Sequence, residues 1–467
     1  MKLELNEIKK INFSIDEIGA IFYYGDKVLR AIKNTSKTNV MELLECGLIK
    51  ELEEKKLFPR TIITDHEIDG FSIVLEHERI ENWNYSYEWS FSMLKKVALV
   101  AVEINEIANK YGYELSDCHA SNLIFNYGHP MYIDLGSFKK TNNTKVWSGK
   151  KIFYLSYYVP LKLSSLGFIN SAKNITLSVE YFDKAEFLKM IYPSLHRKII
   201  LNFGSISNKV DSILSSSENK IKEKLGKRQK HYVLIALFIK KNFTFLSFNN
   251  KKAKKLITSL EPYEADTIWG AYHNQVNPKT SKRFNRVVEI INSFEGVSSV
   301  IEFAANQGKL SSYLLENSKI KSAIVTDYDR NAVETMYHAN QNKKNFLPLL
   351  INFVKPEGRA LDKKLEERLR ADISISLAVT HHLLLTQNYD IEYILSTIKK
   401  FTKKYVLIEF MPEGLYGGDF STTPKIPSHY HMKWFKENFM KYFDLILDEK
   451  VDFNRHLFVG KVRGLVQ

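Results

Sequence analysis

Between Val300 and Asp327 the chain reads apolar run, small-residue turn, helix, apolar run, carboxylate: Val300-Ile301-Glu302-Phe303-Ala304-Ala305-Asn306-Gln307-Gly308, then Ala323-Ile324-Val325-Thr326-Asp327. An apolar strand carrying an acid near its end, a turn of small residues into a helix, and a second strand ending in Asp roughly 20 residues on form the pattern with which a doubly wound sheet holds a nucleoside. The second acid is placed to accept from ribose hydroxyls.

Later segments extend the same sheet. Phe346–Ile351, Asp372–Val379 and Tyr405–Met411 are further apolar runs, separated by helical periodicity, and Asp444–Lys450 with His456–Val462 reads as an antiparallel closing hairpin. Strand and helix alternating in this way predict a mainly parallel α/β sheet from about Arg286 to the end.

A length of 467 residues suggests two to four domains of about 100–200 residues each. Texture divides the chain into 1–145, 146–285 and 286–467. The first part mixes short β-type runs (Ile21–Tyr24, Val28–Ile32, Thr61–Thr64, Phe71–Glu76) with helical stretches such as Val40–Lys55. The middle part is a mostly helical, basic connector. The net charge of +14 has a visible address there: between Lys220 and Lys255 lysines and Arg228 flank the apolar segment Tyr232–Ile239, and Glu223 is the sole acid. Such a cluster suits a solvated helical connector, or else an anionic polymer, nucleic acid included, or a membrane surface.

The longest apolar run falls far short of the ~20 residues that span a bilayer. With no basic-then-apolar leader at Met1–Glu7, the expected location is the cytoplasm. Two cysteines, Cys46 and Cys118, make neither a disulfide framework nor a thiolate metal site.

In the first part, Asp117-Cys118-His119-Ala120-Ser121-Asn122 and Asp134-Leu135-Gly136 resemble the catalytic half of protein-kinase-like phosphotransferases. The resemblance implies a kinase-like α+β domain in which Asp117 takes a hydroxyl proton, while Asn122 and Asp134 hold magnesium against ATP phosphates. Arg30 stands where that family has its strand lysine; Lys27 is an alternative, and Glu45 or Glu51 would be its carboxylate partner. A retained fold without phosphotransfer is the competing reading.

From about Val297 to Val462 the chain resembles class I S-adenosylmethionine-dependent methyltransferases, whose first motif, Asp/Glu-x-Gly-x-x-x-Gly, falls on Glu302, Ala304 and Gly308. Ala304 departs from the usual Gly. The resemblance implies a Rossmann-like sheet holding S-adenosyl-L-methionine, with Asp327 on the ribose, Asn352 near the adenine amino group and the Ala305–Gln307 turn, through Asn306, facing the methionine carboxylate. A nicotinamide site would need Gly-x-Gly-x-x-Gly, which this turn lacks. At the fourth strand end His381 or His382 is the candidate base, and Glu409 at the fifth would orient an acceptor or a His. Trp269–His273 and Pro278–Arg283 are expected to lie over the cofactor or to be plain core.

The order of parts, with Leu75–Ile80, Tyr87–Ser90 and Trp147, also resembles a bacterial family pairing a kinase-like segment with a methyltransferase, associated with lipopolysaccharide, capsule or nodulation-type glycans. That implies a glycan sugar or phosphosugar as methyl acceptor. RNA or DNA held by the basic connector, and a scaffold without catalysis, are the alternatives.

Overall fold

The computed structural model describes residues 2–4, 6–11, 16–177, 249–267, 269–270, 276–359 and 362–464. Strands β1 (Lys9–Lys10), β2 (Gly19–Tyr24), β3 (Lys27–Ile32), β4 (Thr61–Thr64) and β5 (Ile73–His77) form an antiparallel sheet in the order β1-β2-β3-β5-β4. Helices α1 (Lys37–Glu45) and α2 (Leu48–Glu54) follow β3. The sequence suggested one helical stretch here; Gly47, at φ 91°, breaks it in two. Helix α3 (Phe91–Lys110) begins where the Ser90 hydroxyl accepts from the Met93 amide, and it buries Val97, Ala101, Ile104 and Ala108 along one face. Two short ladders follow, β6 (Tyr113–Leu115) with β9 (Phe138–Lys140) and β7 (Leu123–Asn126) with β8 (His129–Tyr132).

The middle part is helical where described: α4 (Lys150–Phe153), a π turn at Tyr154–Tyr158, α5 (Val159–Ser165), α6 (Ile169–Leu177) and α7 (Asn250–Thr258). Of the basic cluster only Lys251, Lys252, Lys254 and Lys255 on α7 are seen; Lys220–Lys241, with Tyr232–Ile239, lie outside the described residues. No helix among the described residues is long and apolar enough to cross a membrane.

Helix α8 (Lys282–Ser293) leads into the last part. There β10 (Ser299–Phe303), α9 (Lys309–Asn317), β11 (Ser322–Asp327), α10 (Arg330–Asn340), β12 (Phe346–Leu350), α11 (Leu365–Arg368), β13 (Ala371–Ser376), α12 (Thr380–Leu385), α13 (Ile391–Phe401), β14 (Thr402–Phe410), α14 (Met432–Tyr442), β15 (Phe443–Asp452) and β16 (Arg455–Val462) build a seven-stranded sheet. Its order is β12-β11-β10-β13-β14-β16-β15, parallel except for β16, which is antiparallel to both β14 and β15. The chain starts in mid-sheet and reverses direction between β10 and β13, so the carboxyl ends of those two strands flank a topological switch point.

Alternate residues of each strand enter different cores. Val300, Val325, Ile375 and Leu407 pack with Val287 and Ile291 of α8 and Leu314 of α9. Ile301, Phe303, Ile324 and Ile408 join a second core that holds Ile394 and Ile398 of α13 and runs on into Val97, Ile104 and Phe125 of the N-terminal part. The boundary between the parts is thus packed through. Across it the Arg368 guanidinium grips the Glu88 carboxylate with both terminal nitrogens, Nη1 at 2.9 Å, both side chains buried. Tyr87 donates to Asp362 at 2.8 Å, and the Ser92 amide donates to Glu334 of α10 at 3.2 Å.

Candidate functional site

The turn after β10 is wound tightly. Ala304, Asn306 and Gly308 have φ of 49°, 54° and 67°, all left-handed. Gly308 is required on two counts, since a Cβ there would stand 2.8 Å from Met336 Cγ and 2.9 Å from Phe346 Cζ. Ala304 carries a Cβ in a conformation that costs an L-residue roughly 1–2 kcal/mol. Ala378, after β13, is left-handed too, at φ 54°. Strain of this kind at two strand ends of one sheet edge marks a site held by its surroundings.

The two expected carboxylates lie on neighbouring strands, β10 and β11. Glu302 is buried and accepts from the Ser311 amide at 3.1 Å and from the Ser311 hydroxyl, which ties β10 to α9. Asp327, also buried, accepts from the Asn306 amide at 2.7 Å and the Asp329 amide at 2.8 Å, which fixes the turn against β11. Burial pushes Glu302 up to about 7 and Asp327 up to about 6, and the Asp327 charge adds to the rise at Glu302. Each therefore gains from a ligand that brings donors or positive charge.

A strap crosses above them. Thr267 donates to Asp329 at 2.7 Å, Trp269 Nε1 to the Tyr328 hydroxyl at 2.8 Å, and the Asn306 and Gln307 amides donate to the carbonyls of Trp269 and Gly270. The Trp269 ring meets His382 edge-on at 5.0 Å, so the strap spans from the end of β11 to the start of α12. The segment was expected to lie over the cofactor or to be plain core; Trp269 rests against Tyr328 and His382, and Ala271, Tyr272 and His273 lie outside the described residues. Asn306 Oδ1 is buried with no hydrogen-bond partner among the described residues.

The rings of His381 and His382 lie 4.1 Å apart, tilted by 41°, and differ in exposure. His381 is 5% exposed, its Nδ1 without a hydrogen-bond partner among the described residues, and burial, then the neighbouring His382 and the charge of Arg455, push it down to about 3. His382 is half-buried beneath Trp269, and burial lowers its pKa as well. Both imidazoles are neutral near pH 7. Glu409, fully buried at the end of β14, sits between Arg455, whose Nη1 donates at 2.8 Å, and Arg283 at 3.2 Å. Sequence reasoning missed this clamp. Its members lie far apart in the chain, and no local spacing connects them.

Asn352 follows β12, but its Oδ1 already accepts from the Val354 and Lys355 amides, each at 3.2 Å. An adenine amino group would find that oxygen engaged; the amide NH2 suits a ring nitrogen instead.

The N-terminal candidates are knit together separately. Asp134 accepts from the Gly136 amide at 3.1 Å, from the Ser137 hydroxyl and from Arg30 at 3.5 Å, while Arg30 also pairs with Asp16 at 3.4 Å. Asn122 donates to the Asp117 carbonyl, and Asp117 Oδ1 accepts from the His119 amide. The pairing of Lys27 or Arg30 with Glu45 or Glu51 does not form: Lys27 pairs with Glu76, and Glu51 takes Lys110 and Tyr111. Among the described residues no group of three or more His, Cys, Asp or Glu is placed to hold a metal ion.

No family model matches the chain. Nodulation protein NoeA of Rhizobium meliloti (strain 1021) is 25% identical over 418 residues, covering 85% of this chain and 84% of that protein. Among solved structures, the N-methyltransferase NodS from Bradyrhizobium japonicum WM9 aligns at 10% identity and a TM-score of 0.31, covering 40% of this chain and 98% of that one. Magnesium protoporphyrin IX methyltransferase (ChlM) from Synechocystis PCC 6803, with bound SAM, aligns at 11% identity and 0.29, covering 43% and 86%. The doubly wound strand order, rather than likeness at these scores, defines the sheet.

Proposed function

We propose that the C-terminal sheet is a methyltransferase that binds S-adenosyl-L-methionine at the turn Ala304–Gly308 and passes its methyl group to an oxygen or nitrogen acceptor. The observation that carries this is the convergence of Glu302, Asp327 and the unpartnered Asn306 Oδ1 under the Trp269 strap, at a switch point of a doubly wound sheet. These are acceptors, and the cofactor offers ribose hydroxyls, an ammonium group and a sulfonium charge, so the residues fit the group. When bound, it supplies a methyl already activated by the positive sulfur. The chain's work is then to align the acceptor, exclude water and move a proton. Asp327 holds the ribose, Trp269 and Tyr328 roof the site, and His382, neutral and the more accessible of the pair, takes the acceptor's proton. Glu409, held by its two arginines, sets the wall on the acceptor side.

The acceptor in this reading is a sugar or phosphosugar of a surface glycan. The N-terminal part serves as scaffold in this reading, with Arg30 fastening Asp134 and its loop to β3. Calorimetry with S-adenosylhomocysteine tests the cofactor site. Asp327→Ala should weaken binding by about tenfold or more, the loss of roughly one charge-assisted contact. Unchanged affinity in a folded variant would move the site elsewhere.

A further inference from the structure

Beyond the carboxyl end of β14 the surface changes character. Tyr416, Phe420 and Phe453 form a mutual cluster with ring centroids 4.5, 5.4 and 6.2 Å apart and interplanar angles of 40°, 58° and 76°. Phe420 is 58% exposed and Phe453 56%, a large apolar area for solvent to meet. The cluster is built, not incidental. Phe453 and Asn454 are the two-residue turn between β15 and β16, and Asn454 fastens the loop after β14 by accepting from the Glu413 amide at 2.7 Å and donating to the Gly414 carbonyl. The next residue, Arg455, reaches back to Glu409.

The rim is polar. Asp419 gathers Ser421, Thr422 and Thr423 beside Phe420, and the Lys450 ammonium stands 5.8 Å from the Phe453 ring. A protein or lipid partner would want the apolar area to continue outward; a polyhydroxylated ring wants what is here, faces for its axial C–H groups and hydroxyl partners around them. On the inner side the guanidiniums of Arg283 and Arg455 both pair with the carboxylate of Glu409.

We propose that Tyr416, Phe420 and Phe453 form an acceptor subsite for a pyranose ring bearing an anionic group, phosphate or carboxylate, directed toward Arg455 and Arg283. The proposal rests on the methyltransferase reading for its position at the acceptor end, and its test separates the two. Full-length protein is titrated in the calorimeter with glucose 1-phosphate, glucuronic acid and methyl glucoside, and separately with S-adenosylhomocysteine. At least one anionic sugar should bind about tenfold more tightly than the neutral one, and the tighter of the two identifies the anion. Phe420→Ala and Phe453→Ala, both at exposed positions, should each weaken sugar binding about fivefold, and Arg455→Gln should abolish the preference for charge. Sugar binding that ignores both Phe substitutions, or equal binding of all three sugars, would overturn the subsite even if S-adenosylhomocysteine binds. Sugar binding without S-adenosylhomocysteine binding would leave the subsite standing and remove the methyltransferase.

Discussion

Arg30 on β3 lies 3.5 Å from Asp134 in the loop after β8, and the same guanidinium is 3.4 Å from Asp16, just before β2. Arg30 is 3% exposed, so removing one of its carboxylates leaves a buried charge half compensated. Asp134→Ala should therefore destabilise the protein by about 2–4 kcal/mol without any nucleotide present. Urea denaturation measures this. A magnesium–ATP mixture that raises the thermal midpoint of the wild type and not of the variant would instead assign Asp134 to a metal.

The left-handed Ala304 gives a prediction of opposite sign. Glycine removes the Cβ clash but loosens the unfolded chain, terms of roughly 1–2 and 0.5–1 kcal/mol respectively. Ala304→Gly should stabilise the ligand-free protein by about 0.5–1 kcal/mol, read from the same denaturation curve. A loss of stability would mean that the Ala304 methyl packs in a way its φ of 49° does not suggest.

Glu302 and Asp327 set a pH dependence. Their folded values, about 7 and about 6, lie above the ordinary 4.5 and 3.8, so the folded state binds more protons than the unfolded one between those limits. The stability they contribute is fully present below about pH 4 and is lost as pH rises through 6 to 7. Glu302→Gln should flatten that slope in thermal scans between about pH 5 and 7.5. Binding of S-adenosylhomocysteine runs the other way, strengthening from about pH 5.5 to 7 as Asp327 ionises.

Glu88 and Arg368 test the seam between the parts. Burial raises the Glu88 pKa against the pull of Arg368, so the pair persists only while both are present. Either Glu88→Met or Arg368→Met alone should cost about 3–5 kcal/mol, while the double substitution should recover most of it. Additive losses in the double-mutant cycle would show that the two act separately.

Much of the sheet was legible because its signals are local. The acids Glu302 and Asp327 close apolar runs, Gly308 opens a helix, and the hairpin Phe443–Val462 needs only alternation and a turn. The Glu409 clamp was not legible, since Arg283 and Arg455 come from elements that only the fold brings together. Asn352 follows β12, but its oxygen is taken by the backbone of the next turn, a competition that spacing does not reveal. The break at Gly47 had a signal, a glycine inside a helical pattern, that apolar periodicity outweighed.

The strap over the pocket has a kinetic consequence. Side chains from Thr267, Trp269, Asn306 and Gln307 fasten it, each bond worth about 0.5–1.5 kcal/mol net. If S-adenosyl-L-methionine binds beneath these bonds as proposed, breaking them should limit how often the protein resets. Turnover would then slow in proportion to solvent viscosity, and Gln307→Ala would quicken it, although neither change touches a bond that reacts.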